Sequence, residues 1–276
     1  MTLDRDERIG FLGGGHMGRA LIAALLGQGV DPADILVGET DAARRAALAD
    51  ELGVRVTEDN VVLVQSVDLL VLAVKPQDMT TALQPLQDAL AVRHPLIVSI
   101  AAGLTVAQLR RACGTGLPVV RAMPNRPAML GLGASGLYAP PEVSSTDRAR
   151  AEALLGAAGV VAWIDDESLM DAVTAVSGSG PAYFFRLAEA LAAAGRAQGL
   201  PDEVAARLAA ATLVGAGAMA AADPDLAALR ASVTSRGGTT AAALDRLEAD
   251  GFGPAVQRAV DAAVQRGREL AESSGA

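Results

Sequence analysis

The sequence predicts an α/β chain, with a doubly wound parallel sheet over residues 1–165 and an all-α part over residues 166–276. Three observations predict it. Short apolar runs alternate with helical patterns as far as residue 164, which is how parallel strands and crossover helices read. After Trp163 the strand signal stops, and from Ser168 the chain is Ala/Leu-rich at helical spacing. A glycine-rich turn joins the first apolar run to the first helical pattern.

Taken in order, Ile9–Leu12 reads as the first strand and Met17–Gln28 as the helix after it. Ile35–Val37 is a second strand. Asp41 caps a helix over Ala42–Leu52 that Gly53 closes. Val54–Val56 is a third strand, and Asp68–Val74, apolar after its first residue, a fourth one buried on both faces. Leu96–Ser99, a helix opened by Thr105, Val119–Ala122, Ala134–Tyr138, a helix from Asp147 and Val160–Ile164 complete the first part. In the second, Pro181 and Pro201 are expected in the first turns of helices, where a missing N–H costs nothing. An apolar unit of this size finishes its core either as a compact bundle or against a second copy, and the dimer is favoured.

Composition narrows the function. Half the residues are apolar (51%) but only 3% are aromatic, so Ala, Leu and Val must build the core. A net charge of −9 argues against a surface that tracks nucleic-acid phosphates. One cysteine, Cys113, permits no intrachain disulfide and reads as a packing residue; with two histidines it leaves no structural zinc site. The start Met1–Arg8 is charged and lacks a signal-peptide core, and no apolar run is expected to span a bilayer. A soluble, cytoplasmic protein without membrane or nucleic-acid partners is expected.

Gly13-Gly14-Gly15-His16-Met17-Gly18 has the spacing of a Rossmann-type dinucleotide turn. Its context is the required one, after a strand and opening a helix. Gly13 makes the tight turn, Gly15 allows close approach of a pyrophosphate, and Gly18 packs helix on strand. Glu39, about 20 residues on, is placed to accept hydrogen bonds from the adenosine ribose; a solvated loop carboxylate is the alternative. Its charge would favour NADH over NADPH, although a swing into solvent, or Arg44 or Arg45 reaching the phosphate, would cancel that. Otherwise the two arginines read as surface residues.

Ala73-Val74-Lys75-Pro76, Ser99–Gly103 and Ala122–Asn125 end later strands on the same edge. Lys75 faces the cofactor, pairs with a carboxylate, or is an ordinary post-strand lysine. Ala101, Ala102 and Gly103 leave room for a nicotinamide, Asn125 is placed to bond its ribose or carboxamide, and Asn60 joins the candidate cofactor contacts. In the helical half, Ser177–Tyr183 reads as a helix cap. Val233–Thr240 places four hydroxyls and two glycines before a helical run, which makes either an anion site for a carboxylate or an elaborate capping loop.

Phe11–Gly18, Ala73–Pro76, Ser99–Gly103, Met123–Asn125, Ala175–Tyr183 and Val233–Thr240, together and in order, resemble the pyrroline-5-carboxylate reductases. The resemblance implies a Rossmann domain with a helical, intertwined dimerisation domain, assembled as dimers or multiples of them. It implies reduction of 1-pyrroline-5-carboxylate to L-proline with NADPH or NADH. The carboxylate would be held by Ser235 and the N–H groups of Gly237, Gly238 and Thr239, and the imine nitrogen contacted by Thr240. Gly13, Gly15, His16, Met17, Gly18, Ala73, Val74 and Lys75 would line the cofactor, and Lys75 joins Thr240 as a candidate catalytic residue. Two residues depart from the family pattern: Arg126 stands where Thr is general, and Arg236 where Pro is usual. His16 replaces a common Asn or Gln and keeps a polar group. A β-hydroxyacid dehydrogenase-like enzyme would need a lysine in the helical half, and the chain has none beyond Lys75. A cofactor-sensing protein without turnover is the alternative of a different class.

Overall fold

The computed structural model describes residues 7–114 and 116–274; most of the charged start, residues 1–6, lies outside them. The chain packs as two compact units, residues 1–178 with 263–276, and residues 179–262.

In the first unit the elements run β1 (Ile9–Leu12), α1 (His16–Gly27), β2 (Ile35–Gly38), α2 (Ala42–Leu52), β3 (Arg55–Thr57), α3 (Asn60–Ser66) and β4 (Leu69–Leu72). Then come α4 (Met79–Leu83), α5 (Gln87–Arg93), β5 (Leu96–Ser99), α6 (Val106–Cys113), β6 (Val119–Met123), β7 (Gly133–Tyr138), α7 (Ser145–Gly156), β8 (Gly159–Trp163) and α8 (Met170–Val173). The strands form one sheet of order β3-β2-β1-β4-β5-β6-β7-β8. Successive side chains of a strand leave on opposite faces, and the core divides accordingly. Ile9, Phe11, Ile35, Val37, Leu69 and Val71 pack with α1, α2 and α7 on one face. Leu12, Leu36, Leu70, Leu72 and Ile97 pack with α3 to α6 on the other. Each such side chain contributes about 1.5–3 kcal/mol by leaving water, so the sheet is secured from both sides.

The sheet is not parallel throughout. β1 to β6 are parallel, but β7 pairs antiparallel with β6, and β8 follows β7 in parallel. The link between β6 and β7 is one short 3-10 turn, Arg126–Leu130, closed by Gly131 in the left-handed region (φ +71°). So short a link reverses the chain, whereas a crossover needs about a dozen residues or more.

The second unit is built from α9 (Gly180–Ala197), α10 (Asp202–Ala222), α11 (Leu226–Ser232), α12 (Thr239–Ala249) and the first half of α13 (Phe252–Ser274). Contrary to the sequence expectation, α10 is long and apolar enough to cross a membrane by length and composition alone, with a mean hydropathy of 1.6. Its alanines raise that value while leaving a slim helix suited to close packing. Of its 21 residues only Ala205 and Ala209 are buried within the chain. Phe184, Phe185, Leu191, Leu208 and Val214 are all more than half exposed. Within the described residues these side chains find little cover.

Candidate active site

At the carboxyl end of β1, Gly13 adopts a φ of +100°, and its N–H donates to the Gly38 carbonyl at 2.9 Å. A Cβ at Gly13 would lie 3.1 Å from the Ala73 carbonyl oxygen, and one at Gly18 would lie 3.0 Å from that of Gly13. The turn is therefore pressed against the end of β4, and α1 against the turn. Gly14 abuts the fully buried Leu48 of α2. Gly15 alone of this group opens onto empty space: a Cβ there would meet nothing within 4 Å.

α1 starts at His16 with no side-chain cap and no acid in its first turn, whereas α2, α3, α6, α7 and α11 are capped by Asp41, Asp59, Thr105, Ser144 and Asp225. Its leading N–H groups and its dipole are thus available to an anion. The turn also lies where the strand order reverses, between β1 and β4. A pyrophosphate fits this cradle.

Glu39 follows β2 directly and is 7% exposed, so the solvated-loop reading is wrong. Its Oε2 accepts from the Gly14 N–H at 3.3 Å and its Oε1 from the Asp41 N–H at 3.0 Å. Arg44 stands 3.9 Å from Oε2. Arg45, expected at the surface, is largely buried: its guanidinium donates to the Glu39 and Thr40 carbonyls and pairs with Glu58 at 2.9 Å. Asn60 begins α3 beside Gly38, and its Oδ1 is buried without a hydrogen-bond donor. The oxygen packs closely on Gly38, so the Asn60 amide supports the end of β2 beside the nucleotide turn.

Ala73 and Val74 lie half-buried past β4, and Lys75 is exposed at the start of a 3-10 turn, with no ion pair among the described residues. Past β5, the Ala101 N–H donates to Ser99 Oγ, Ala102 is exposed and Gly103 turns with φ +78°. His16 is exposed and Met17 half-buried. The structure thus brings the candidate cofactor residues of β1, β2, β4 and β5 to one edge. Asn125 departs from its expected role. It is 7% exposed; its Oδ1 accepts from the Ala134 N–H and its Nδ2 donates to the Ser177 carbonyl, both at 2.9 Å. The amide braces β6, β7 and the π-helical turn Thr174–Gly178, leaving one N–H for anything else. Nor does Ser177 or Ser179 cap α9: the Ser177 hydroxyl donates back to the Val173 carbonyl at 2.8 Å.

In the second unit, the Ser235 carbonyl accepts from the Gly238 N–H at 3.0 Å, and Gly237 has a φ of +70°. This is the pattern of a type II turn, with Arg236 at its second position. Proline is favoured there but not required, so arginine leaves the turn intact. α12 begins at Thr239 with no side-chain cap and no acid in its first turn. The Thr234 hydroxyl is spent on the Arg230 carbonyl at 2.6 Å. Those of Ser235, Thr239 and Thr240 make no hydrogen bond among the described residues. Hydroxyls and N–H groups at one helix start, with Arg236 in the turn before them, suit a carboxylate.

A doubly wound sheet with its nucleotide cradle at the switch point, continued by an all-helical half, defines a nicotinamide-dependent oxidoreductase. The family model for pyrroline-5-carboxylate reductase dimerisation matches residues 167–270, and that for NADP oxidoreductase, coenzyme F420-dependent, matches residues 8–103. The pyrroline-5-carboxylate reductase of Pseudomonas aeruginosa is 48% identical over 97% of this chain and 98% of its own. A solved pyrroline-5-carboxylate reductase from Coxiella burnetii superposes with a TM-score of 0.92 at 36% identity, covering 96% of this chain and 98% of that one. The Plasmodium falciparum pyrroline carboxylate reductase, solved with NADP bound, gives 0.80 at 28% identity and 99% coverage of both chains. The chain belongs to the pyrroline-5-carboxylate reductase family.

Proposed function

We infer that this chain reduces 1-pyrroline-5-carboxylate to L-proline with NADPH or NADH, as a dimer or a multiple of dimers. The observation that carries the reading is the setting of two of the uncapped helix starts, α1 behind a glycine turn and α12 behind a hydroxyl-rich one. The first suits a pyrophosphate and the second a small carboxylate. When bound, the reduced nicotinamide supplies the hydride.

The protein's own residues bind and orient. Gly13, Gly15 and Gly18 shape the cradle, the α1 N–H groups with His16 and Met17 hold the phosphates, and Glu39 and Asn60 serve the adenosine end. Ala73, Val74, Ala101, Ala102 and Gly103 leave space at the nicotinamide end, where Lys75 adds positive charge and Asn125 braces the edge. Ser235 and the N–H groups of Gly237, Gly238 and Thr239 hold the substrate carboxylate. The Thr240 hydroxyl donates to the imine nitrogen, which makes the neighbouring carbon more electrophilic. Among the described residues no group of three or more His, Cys, Asp or Glu is arranged to hold a metal.

We place residues 1–165 as the dinucleotide-binding domain and 166–276 as the dimerisation and substrate-binding domain, in a cytoplasmic enzyme. The family match to residues 167–270 and the exposed apolar side chains of α9 and α10 support the dimer. Loss of NADPH or NADH absorbance on adding the imine acid, with proline as product, is the test. No consumption of either cofactor by folded protein would overturn the reading.

A further inference from the structure

We propose that Glu39 makes this enzyme selective for NADH over NADPH by holding a fixed carboxylate where the 2′-phosphate of the larger cofactor would have to lie. The proposal rests on the dinucleotide site described above. The pyrophosphate cradle fixes where the adenosine ribose begins, since the two are joined through one 5′-oxygen. The Gly13 N–H bonds the Gly38 carbonyl, so the end of β2 and the glycine turn are stitched together, and Glu39 is the next residue. Its side chain reaches back to the Gly14 N–H. A ribose leaving this cradle toward β2 therefore meets Glu39 first.

Two escapes would weaken the discrimination; the structure closes the first and narrows the second. A carboxylate free to swing into solvent would not repel a phosphate. Glu39 is 7% exposed, and both its oxygens accept backbone N–H groups, so rotating it away strands the Gly14 and Asp41 N–H groups. A neighbouring arginine could instead neutralise the phosphate. Arg45 is committed to Glu58 and to two backbone carbonyls. Arg44 is 65% exposed and lies 3.9 Å from both Glu39 and Asp41, so two carboxylates already offset its single charge. With Asp59 capping α3, the segments after β2 and β3 carry Glu39, Asp41, Glu58 and Asp59 against Arg44 and Arg45 of α2. A ribose diol donates to carboxylates; a phosphate dianion is repelled by them.

The test is direct binding to the full-length chain with no imine acid present. NADH and NADPH are titrated by calorimetry, and 5′-AMP and 2′,5′-ADP in parallel. NADH is expected to bind at least about tenfold more tightly than NADPH, with 2′,5′-ADP correspondingly disfavoured. Glu39→Gln should lose most of that ratio and Glu39→Ser should move it toward NADPH. A purely structural loss of the loop brace would weaken both cofactors equally and leave the ratio unchanged, which overturns the proposal. So does wild-type protein that binds NADPH as tightly as NADH, a result that stands even if the variants fail to fold. NADH-selective binding without imine reduction would uphold this proposal while sinking the reductase reading.

Discussion

Thr240 stands at the second residue of α12 with its hydroxyl unengaged inside the chain. A helix gains little from a threonine there, so its replacement should cost little stability. Its proposed bond to the imine nitrogen strengthens as the reaction proceeds, so Thr240→Ala should lower kcat about 10- to 100-fold, roughly 1.4–2.7 kcal/mol. The dissociation constant of the dinucleotide should not move. Unchanged kcat in a folded variant would remove Thr240 from the reaction. Cys113 makes the opposite case, a reactive group made inert. Burial pushes its thiol up to about 12, because a thiolate under α6 would lose its hydration. Native protein should therefore resist iodoacetamide at pH 8 and react only when unfolded; rapid native alkylation would mean that α6 opens readily.

Within the α1 turn, the four glycines do different work, and substitution separates them. Gly14→Ala drives a methyl into Leu48, which is fully buried and has nowhere to go. It should cost about 1–3 kcal/mol by chemical denaturation. Gly15→Ala meets nothing and keeps an ordinary φ of −67°, so the fold should be unharmed. Dinucleotide affinity should nevertheless fall, because the methyl projects where the pyrophosphate approaches. A Gly15→Ala variant with undiminished affinity would place the ligand elsewhere. This turn was legible in the sequence, since period and turn chemistry are local properties, and so were all eight strands, in all but their end residues. The reversal of β7 was not, because strand direction is decided by how far a link can reach. α3 was missed as well: Val61-Val62-Leu63-Val64 is β-branched enough to hide a helix that only Asp59 announces. The burial of Glu39 rests on an N–H group 25 residues earlier in the chain, and that of Asn125 on a carbonyl 52 residues later. No window of sequence contains either pair.

For the molecule as a whole, the helical half was legible as a class but not in its detail, because what it packs against is absent from its own sequence window. Sedimentation of the full chain at micromolar concentration should give at least twice the 27.9 kDa of one subunit. A monomer would contradict the dimer. A fragment ending at residue 165 is a poor substitute for this test, since the sheet unit also contains residues 166–178 and 263–276. The side chain of Val173 fills the space over Gly136, and Ala271 lies beside Gly103. The apolar flanks of α9 and α10 have a further consequence, set by mass action. If those surfaces leave water only on meeting another copy, part of the free energy of folding is bimolecular. The unfolding midpoint should then climb with protein concentration, and dilution alone should loosen the helical half. Newly made subunits would be least stable when scarce, so the cell's own expression level becomes a term in the stability of the enzyme.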